Sequence, residues 1–189
     1  MTTMPVYVAL LRGVNVGGHN KVPMADLRTA LDSAGFTRIR TYIQSGNVVF
    51  NSAAAKPQAL AARVRTEIST TFGLDIATIV IDGAALAQVV SSTPYAAEPD
   101  PRRVHVFFLP SELDKASRAR VDEISEVAKA KGSRDALTVM GMVMYLHTPD
   151  GFGTSDLAKA LSTRGAGVHR SGTARSWSTV TALLEMCAT

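Results

Sequence analysis

The order in which apolar periodicity changes along the first half of the chain constrains its fold more than any other feature. Val6–Leu11 is a nearly continuous apolar run and reads as a central strand. Met24, Leu27, Ala30, Leu31 and Ala34 recur at helical spacing behind Pro23, a favourable first helical residue, and Gly35 supplies the stop. In residues 37–43, Ile39 and Ile43 alternate with Arg38 and Arg40, as in a strand with one wet face. Gln44-Ser45-Gly46-Asn47 is turn chemistry, and Val48-Val49-Phe50 resumes as a strand, so residues 44–47 sit in a hairpin. Leu60, Val64, Ile68 and Phe72 mark a second helix between Pro57 and Gly73, and residues 75–81 alternate as another strand. Strand, helix, strand, strand, helix, strand is the order of a ferredoxin-like βαββαβ unit, with an antiparallel sheet in the order 4-1-3-2.

The second half echoes that order without a residue-level repeat. Asp82 caps a short third helix, and the stretch from Ser91 to Pro101, with three prolines and little that is apolar, reads as a boundary. The expected organisation is a ferredoxin-like subdomain over 1–92, a linker over 93–102, and a smaller α+β subdomain over 103–189. In the latter, residues 104–109 form a buried strand and Ser111 caps a long helix, with Asp114 in a capping-box position and Gly132 as the stop. Two strands flank Gly141. Thr154 caps a short helix through Leu161, and a basic connector runs to Thr173. A final helix over about 176–186 places Trp177, Val180, Leu184 and Cys187 on its core face. The fold class is α+β.

Charge and composition exclude several function classes. Net charge is +4 with a pI near 9.5, which permits a phosphate-bearing partner without demanding one. Cys187 is the only cysteine, so no intramolecular disulfide can form. The N-terminus has no basic n-region, and the apolar run behind it is too short for a signal core or a membrane span, so the expected location is the cytoplasm. His19, His105, His147 and His169 have no metal-ligand spacing. Gly13 and Gly18 are spaced as in a P-loop, but His19 and Asn20 stand where Lys and Ser or Thr are required, and Gly-x-Gly-x-x-Gly is absent. No cofactor is indicated. Ser45 lies outside any Gly-x-Ser-x-Gly elbow, so no catalytic nucleophile is indicated either.

The remaining signal is the connection between the first strand and the first helix. It takes about a dozen residues where a few suffice, and it carries glycines, asparagines and cations into a helix N-terminus. Topology brings Arg12, Asn15, Gly17, Gly18, Asn20 and Lys21 to the same sheet edge as Gln44, Ser45 and Asn47. Amides, N–H donors and cations with few acids suit a phosphate- or carboxylate-bearing small ligand. Arg175, placed where a helix dipole disfavours a cation, is a secondary candidate. The runner-up reading is a nucleic-acid module, since first-half strands carry Tyr7, Tyr42 and Phe50, although no RNP-like run accompanies them. A third, a protein-interaction module, leaves the polar loop unexplained.

Three motifs carry a family resemblance. Residues 9–24 (Ala-Leu-Leu-Arg-Gly-Val-Asn-Val-Gly-Gly-His-Asn-Lys-Val-Pro-Met), residues 41–50 (Thr-Tyr-Ile-Gln-Ser-Gly-Asn-Val-Val-Phe) and residues 173–180 (Thr-Ala-Arg-Ser-Trp-Ser-Thr-Val) resemble the bacterial domain-of-unknown-function family 1697. The third departs from the family's Arg-Asn-Trp-Asn-Thr-Val, with Ser176 and Ser178 in place of the asparagines, and Ser155-Asp156-Leu157 stands where Ser-Lys-Leu is usual. The resemblance implies a cytoplasmic α+β protein of two subdomains and supplies no activity.

Overall fold

A computed structural model describes residues 4–53, 55–164 and 172–189. It is a mixed α+β structure with two four-stranded antiparallel sheets and, among the described residues, six α-helices. The chain divides into two compact units, Met1–Gln88 with Thr181–Thr189, and Val89–Val180.

In the first unit, β1 (Val6–Leu11), α1 (Met24–Ser33), β2 (Thr37–Tyr42), β3 (Asn47–Asn51), α2 (Pro57–Phe72) and β4 (Thr78–Asp82) follow one another, with α3 (Gly83–Ser91) behind them. The strand order is β2-β3-β1-β4, with β1 antiparallel to both neighbours. Tyr7, Ala9 and Leu11 on one face of β1 pack with Leu27 and Leu31 of α1 and Leu60, Val64 and Ile68 of α2. Each fully buried Leu, Val or Ile among them contributes about 1.5–3 kcal/mol. On the opposite face Val8, Leu10 and Val49 are buried too, so the central strands show neither face to solvent. At the end of α1, Gly35 (φ 85) lets Phe36 N–H return to Leu31 O, a Schellman-type closure. Arg40 of β2 donates to Met186 O and Thr189 Oγ1, tying the last residues to this sheet.

The second unit repeats the scheme. β5 (Val104–Phe108), α4 (Lys115–Ala130), β6 (Ala136–Met140), β7 (Val143–His147), α5 (Asp156–Arg164) and β8 (Thr173–Ser176) lead to α6 (Trp177–Cys187). The order β6-β7-β5-β8 matches the first sheet strand for strand. Phe107 and Leu109 pack with Val121 and Ile124 of α4 and Leu157 and Leu161 of α5.

Several local expectations need correction. Ile43 does not continue β2 inward; it is 54% exposed at φ 48, because the strand has already ended at Tyr42. Asp114, not Ser111, caps α4, accepting from Ser117 N at 2.7 Å. Ser155, not Thr154, caps α5: its Oγ accepts from Ala158 N and donates to the buried Asp135, so a carboxylate backs the positive helix end. Thr154 instead closes a 3-10 turn on Asp150 O. Thr173–Ser176, where the connector was expected to end and the last helix to begin, is a strand. The core stripe of α6 is Val180 and Leu183, with Trp177 half-buried. Residues 93–102 fall within the second unit. Tyr95 stacks on His147 and bonds Thr138 Oγ1, while Glu98 Oε2 lies 2.6 Å from His147 Nε2. His169 and Arg170 of the basic connector lie outside the described residues.

Candidate functional site

β1 ends at Leu11 and α1 starts at Met24, leaving residues 12–23 between them. Their fold follows from five residues at positive φ, namely Gly13, Asn15, Gly17, Gly18 and Asn20. Glycine enters that region freely, and asparagine does so more readily than other side chains. Gly17 (φ 57) and Gly18 (φ 79) form a tight turn closed by His19 N–H to Val16 O at 3.0 Å. One step lower, Asn15 N–H donates to Asn20 O at 3.1 Å. The surplus chain is therefore a small finger with an exposed tip, standing on Val14 and Val22, which are 1% and 0% exposed.

Asparagine side chains hold the finger in place. Asn15 Nδ2 donates to Val22 O at 2.9 Å and to Gln44 O at 2.7 Å, and its Oδ1 accepts from Val22 N. Asn20 Nδ2 donates to Gly13 O. Finger and hairpin also meet through Gly46, whose carbonyl accepts from Leu11 N at 2.8 Å. A Cβ on Gly46 would lie 2.4 Å from Val14 Cγ2 and 2.6 Å from Leu11 Cβ, so only glycine fits there.

The candidate residues fall into two groups. Arg12, half-buried, begins the finger, its N–H bonded to Ala77 O; Gly17, Gly18 and Lys21 are exposed along it. The amides of Gly17 and Gly18 make no hydrogen bond among the described residues. The second group supports the backbone. Asn15 joins finger to hairpin, and Asn20 braces the finger. Gln44 contributes its carbonyl. Asn47 is fully buried, its Nδ2 donating to Tyr42 O and Ser45 Oγ. Arg175 is part of the second unit: it lies on β8 opposite Val106 rather than at a helix start, and donates to Thr173 Oγ1 and Ala174 O. Burial pushes its guanidinium down to about 10.

Two features escaped the sequence. The N-cap of α1 is Pro23, which offers no side-chain hydrogen bond to the first turn, so the first-turn N–H groups beside the finger have no side-chain cap. His105 on β5 has a buried Nδ1 with no partner among the described residues, and its ring stacks on Phe152 at 3.9 Å between centroids. Desolvation lowers its pKa to about 4, so it is neutral. Tyr7 and Phe50, counted toward an aromatic platform, stack on each other inside the core at 5.9 Å. No group of three or more His, Cys, Asp or Glu among the described residues is arranged to hold a metal ion, and no described helix is long and apolar enough to cross a membrane.

Comparison with known proteins adds a family and a fold. No curated protein matches the chain. The conserved bacterial protein SP0830 from Streptococcus pneumoniae is similar in structure, with a TM-score of 0.74 and 24% identity over 98% of this chain and 99% of that one. That likeness speaks for the fold alone. The family described as "Protein of unknown function (DUF1697)" matches residues 4–145, which hold the finger, the hairpin and the first strand of each sheet, and the chain belongs to that family.

Proposed function

We propose that this protein binds a small anionic ligand, bearing phosphate or carboxylate, at the finger and the adjoining turn 44–47. One observation carries the reading. The two units share strand order and connectivity, yet the first strand-to-helix connection spans residues 12–23 where its counterpart in the second unit spans only 109–114. The scheme can be closed with the shorter link, so the remainder of the longer one serves something other than turning the chain. It is polar and cationic. No acid precedes Asp26, while Arg12, His19 and Lys21 lie within or beside the finger. The exposed N–H groups of Gly17 and Gly18 and the uncapped start of α1 add partial positive charge.

Within this reading Arg12, Lys21 and the Gly17–Gly18 amides meet the ligand, and Asn15, Asn20, Gln44, Ser45 and Asn47 position them. The ferredoxin-like description of the first unit and a cytoplasmic location belong to the same proposal; strand order supports the former and the single cysteine the latter. The nucleic-acid alternative loses support because two of its three rings are packed inside.

A thermal-shift series with inorganic phosphate, sulfate, acetate and short phosphomonoesters tests the proposal. An anion at a hundredfold its Kd adds about 2.7 kcal/mol. The expected result is a raised Tm with amide shifts at Gly17 and Gly18 in an NMR titration. No rise and no shift with any anion overturns it.

A further inference from the structure

The finger and hairpin also carry an apolar pair that folding does not explain. Val16 is 62% exposed and Ile43 54% exposed, and each adjoins one partner of the Asn15–Gln44 hydrogen bond. Ile43 stands at φ 48, a region β-branched side chains avoid. More than half of its surface nevertheless stays exposed. A residue such as asparagine would suit that backbone better and would suit solvent as well. Val16 has a similar history: it flanks a two-glycine turn whose closure uses only its carbonyl, so its isopropyl group serves neither turn nor core. Val16 lies within the cationic, acid-free strip of residues 12–25, and Ile43 adjoins Gln44, whose carbonyl accepts from Asn15 of that strip.

We infer that Val16 and Ile43 form the specificity-determining edge of the anion site and select an organic anion, a phosphate or carboxylate carrying an apolar or aromatic substituent, over a bare inorganic one. This rests on the anion reading above and deepens it. The cationic groups and amides take the charged end, while the two side chains cover the substituent. Water leaves them only when that substituent arrives, so the apolar gain is made on binding rather than on folding.

The experiment is an NMR titration of the intact protein with two matched pairs, inorganic phosphate against phenyl phosphate and acetate against benzoate. The pairs separate phosphate from carboxylate recognition. The aryl member of at least one pair is expected to bind about tenfold tighter than its partner and to shift the methyls of Val16 and Ile43. In Ile43→Asn, whose new side chain suits the backbone, the ratio within the pair falls toward one; Val16→Ser provides an independent second variant. If small anions shift Gly17 and Gly18 but the aryl members bind no tighter, this inference fails and the anion reading stands. A preference that survives in both variants, or comes without methyl shifts, also overturns it. If none of the four compounds moves Gly17 or Gly18, the anion reading falls and takes this inference with it.

Discussion

In both units an N–H at the end of the first strand donates to a carbonyl of the neighbouring hairpin, Leu11, the last residue of β1, to Gly46 at 2.8 Å and Leu109, just past β5, to Met142 at 2.9 Å. A glycine at positive φ sits in each hairpin, Gly46 at 74° and Gly141 at 57°. From that shared corner the units diverge. The second turns through six residues into a helix capped by Asp114; the first builds a finger and enters a helix whose N-cap has no side-chain bond. A corner closed economically is scaffold. A corner that is elaborated, braced by asparagines and left uncapped points to a site.

The largest test of this contrast is a pair of glycine substitutions. Gly46→Ala combines a disfavoured φ with overlap against Val14 and Leu11, and is expected to lose about 2–5 kcal/mol in urea unfolding. Gly141→Ala meets nothing nearer than Glu112 Oε1 at 3.7 Å and should lose about 1–2 kcal/mol. Equal losses would break the distinction between a packed corner and an open one. Asn15→Ala, which removes three hydrogen bonds while keeping a positive φ, should cost about 1–3 kcal/mol and speed amide exchange at Val22. Unchanged exchange there would mean the finger stands without its brace. Asp114→Ala should cost about 1 kcal/mol, the usual value of an N-cap, and a negligible loss would remove the capping contrast between α4 and α1.

Acid should separate the units as well. In the second, Glu98, Asp100, Asp114 and Asp150 are held below their ordinary carboxylate range. Asp100 is lowered to about 2, chiefly by the Arg102 side chain; Glu98 is lowered first by the Asp100 N–H and then by His147. In the first, the Arg65 side chain holds Asp75 down in the same way. A depressed carboxylate stabilises the fold above its unfolded pKa, and that contribution disappears as pH falls through the folded value. His105 acts earlier. Unfolded, it takes a proton near 6.5, while folded it resists down to about 4, so stability falls across that interval as acid is added. Amide protection in the second unit should therefore decline first as pH drops from 6.5, and His105→Phe should remove the decline between 6.5 and 4. Simultaneous loss in both units would show that these groups do not set the acid limit.

Much of the first unit was legible because its elements carry long, regular patterns. Leu60, Val64 and Ile68 repeat over a 16-residue helix, and the turn glycines stand where chain direction changes. The eighth strand was hidden because Thr-Ala-Arg-Ser has no apolar alternation: its two buried positions are the polar Thr173 and Arg175, and backbone pairing with β5 makes it a strand. Ile43 looked like the inward partner of Ile39, yet one left-handed residue turned it outward, and a period-two pattern carries no warning of such a reversal. The position of the candidate site could be read from glycine and asparagine content. The division of labour within it could not: Asn47 as a buried brace and Gly17 as an exposed donor are distinguished only by packing.

The finger's bracing has a consequence for proteolysis. Trypsin would find cleavable bonds after Arg12 and Lys21 in a largely exposed, polar loop of the first unit. Yet Gly13 O is bound by Asn20 Nδ2, and Val22, which follows Lys21, is fully buried with its N–H on Asn15 Oδ1. A protease must draw several residues into an extended strand, which here means pulling Val22 out of the core. Cutting at either bond would therefore track the opening of the first unit as a whole, turning a loop that looks vulnerable into a gauge of its stability.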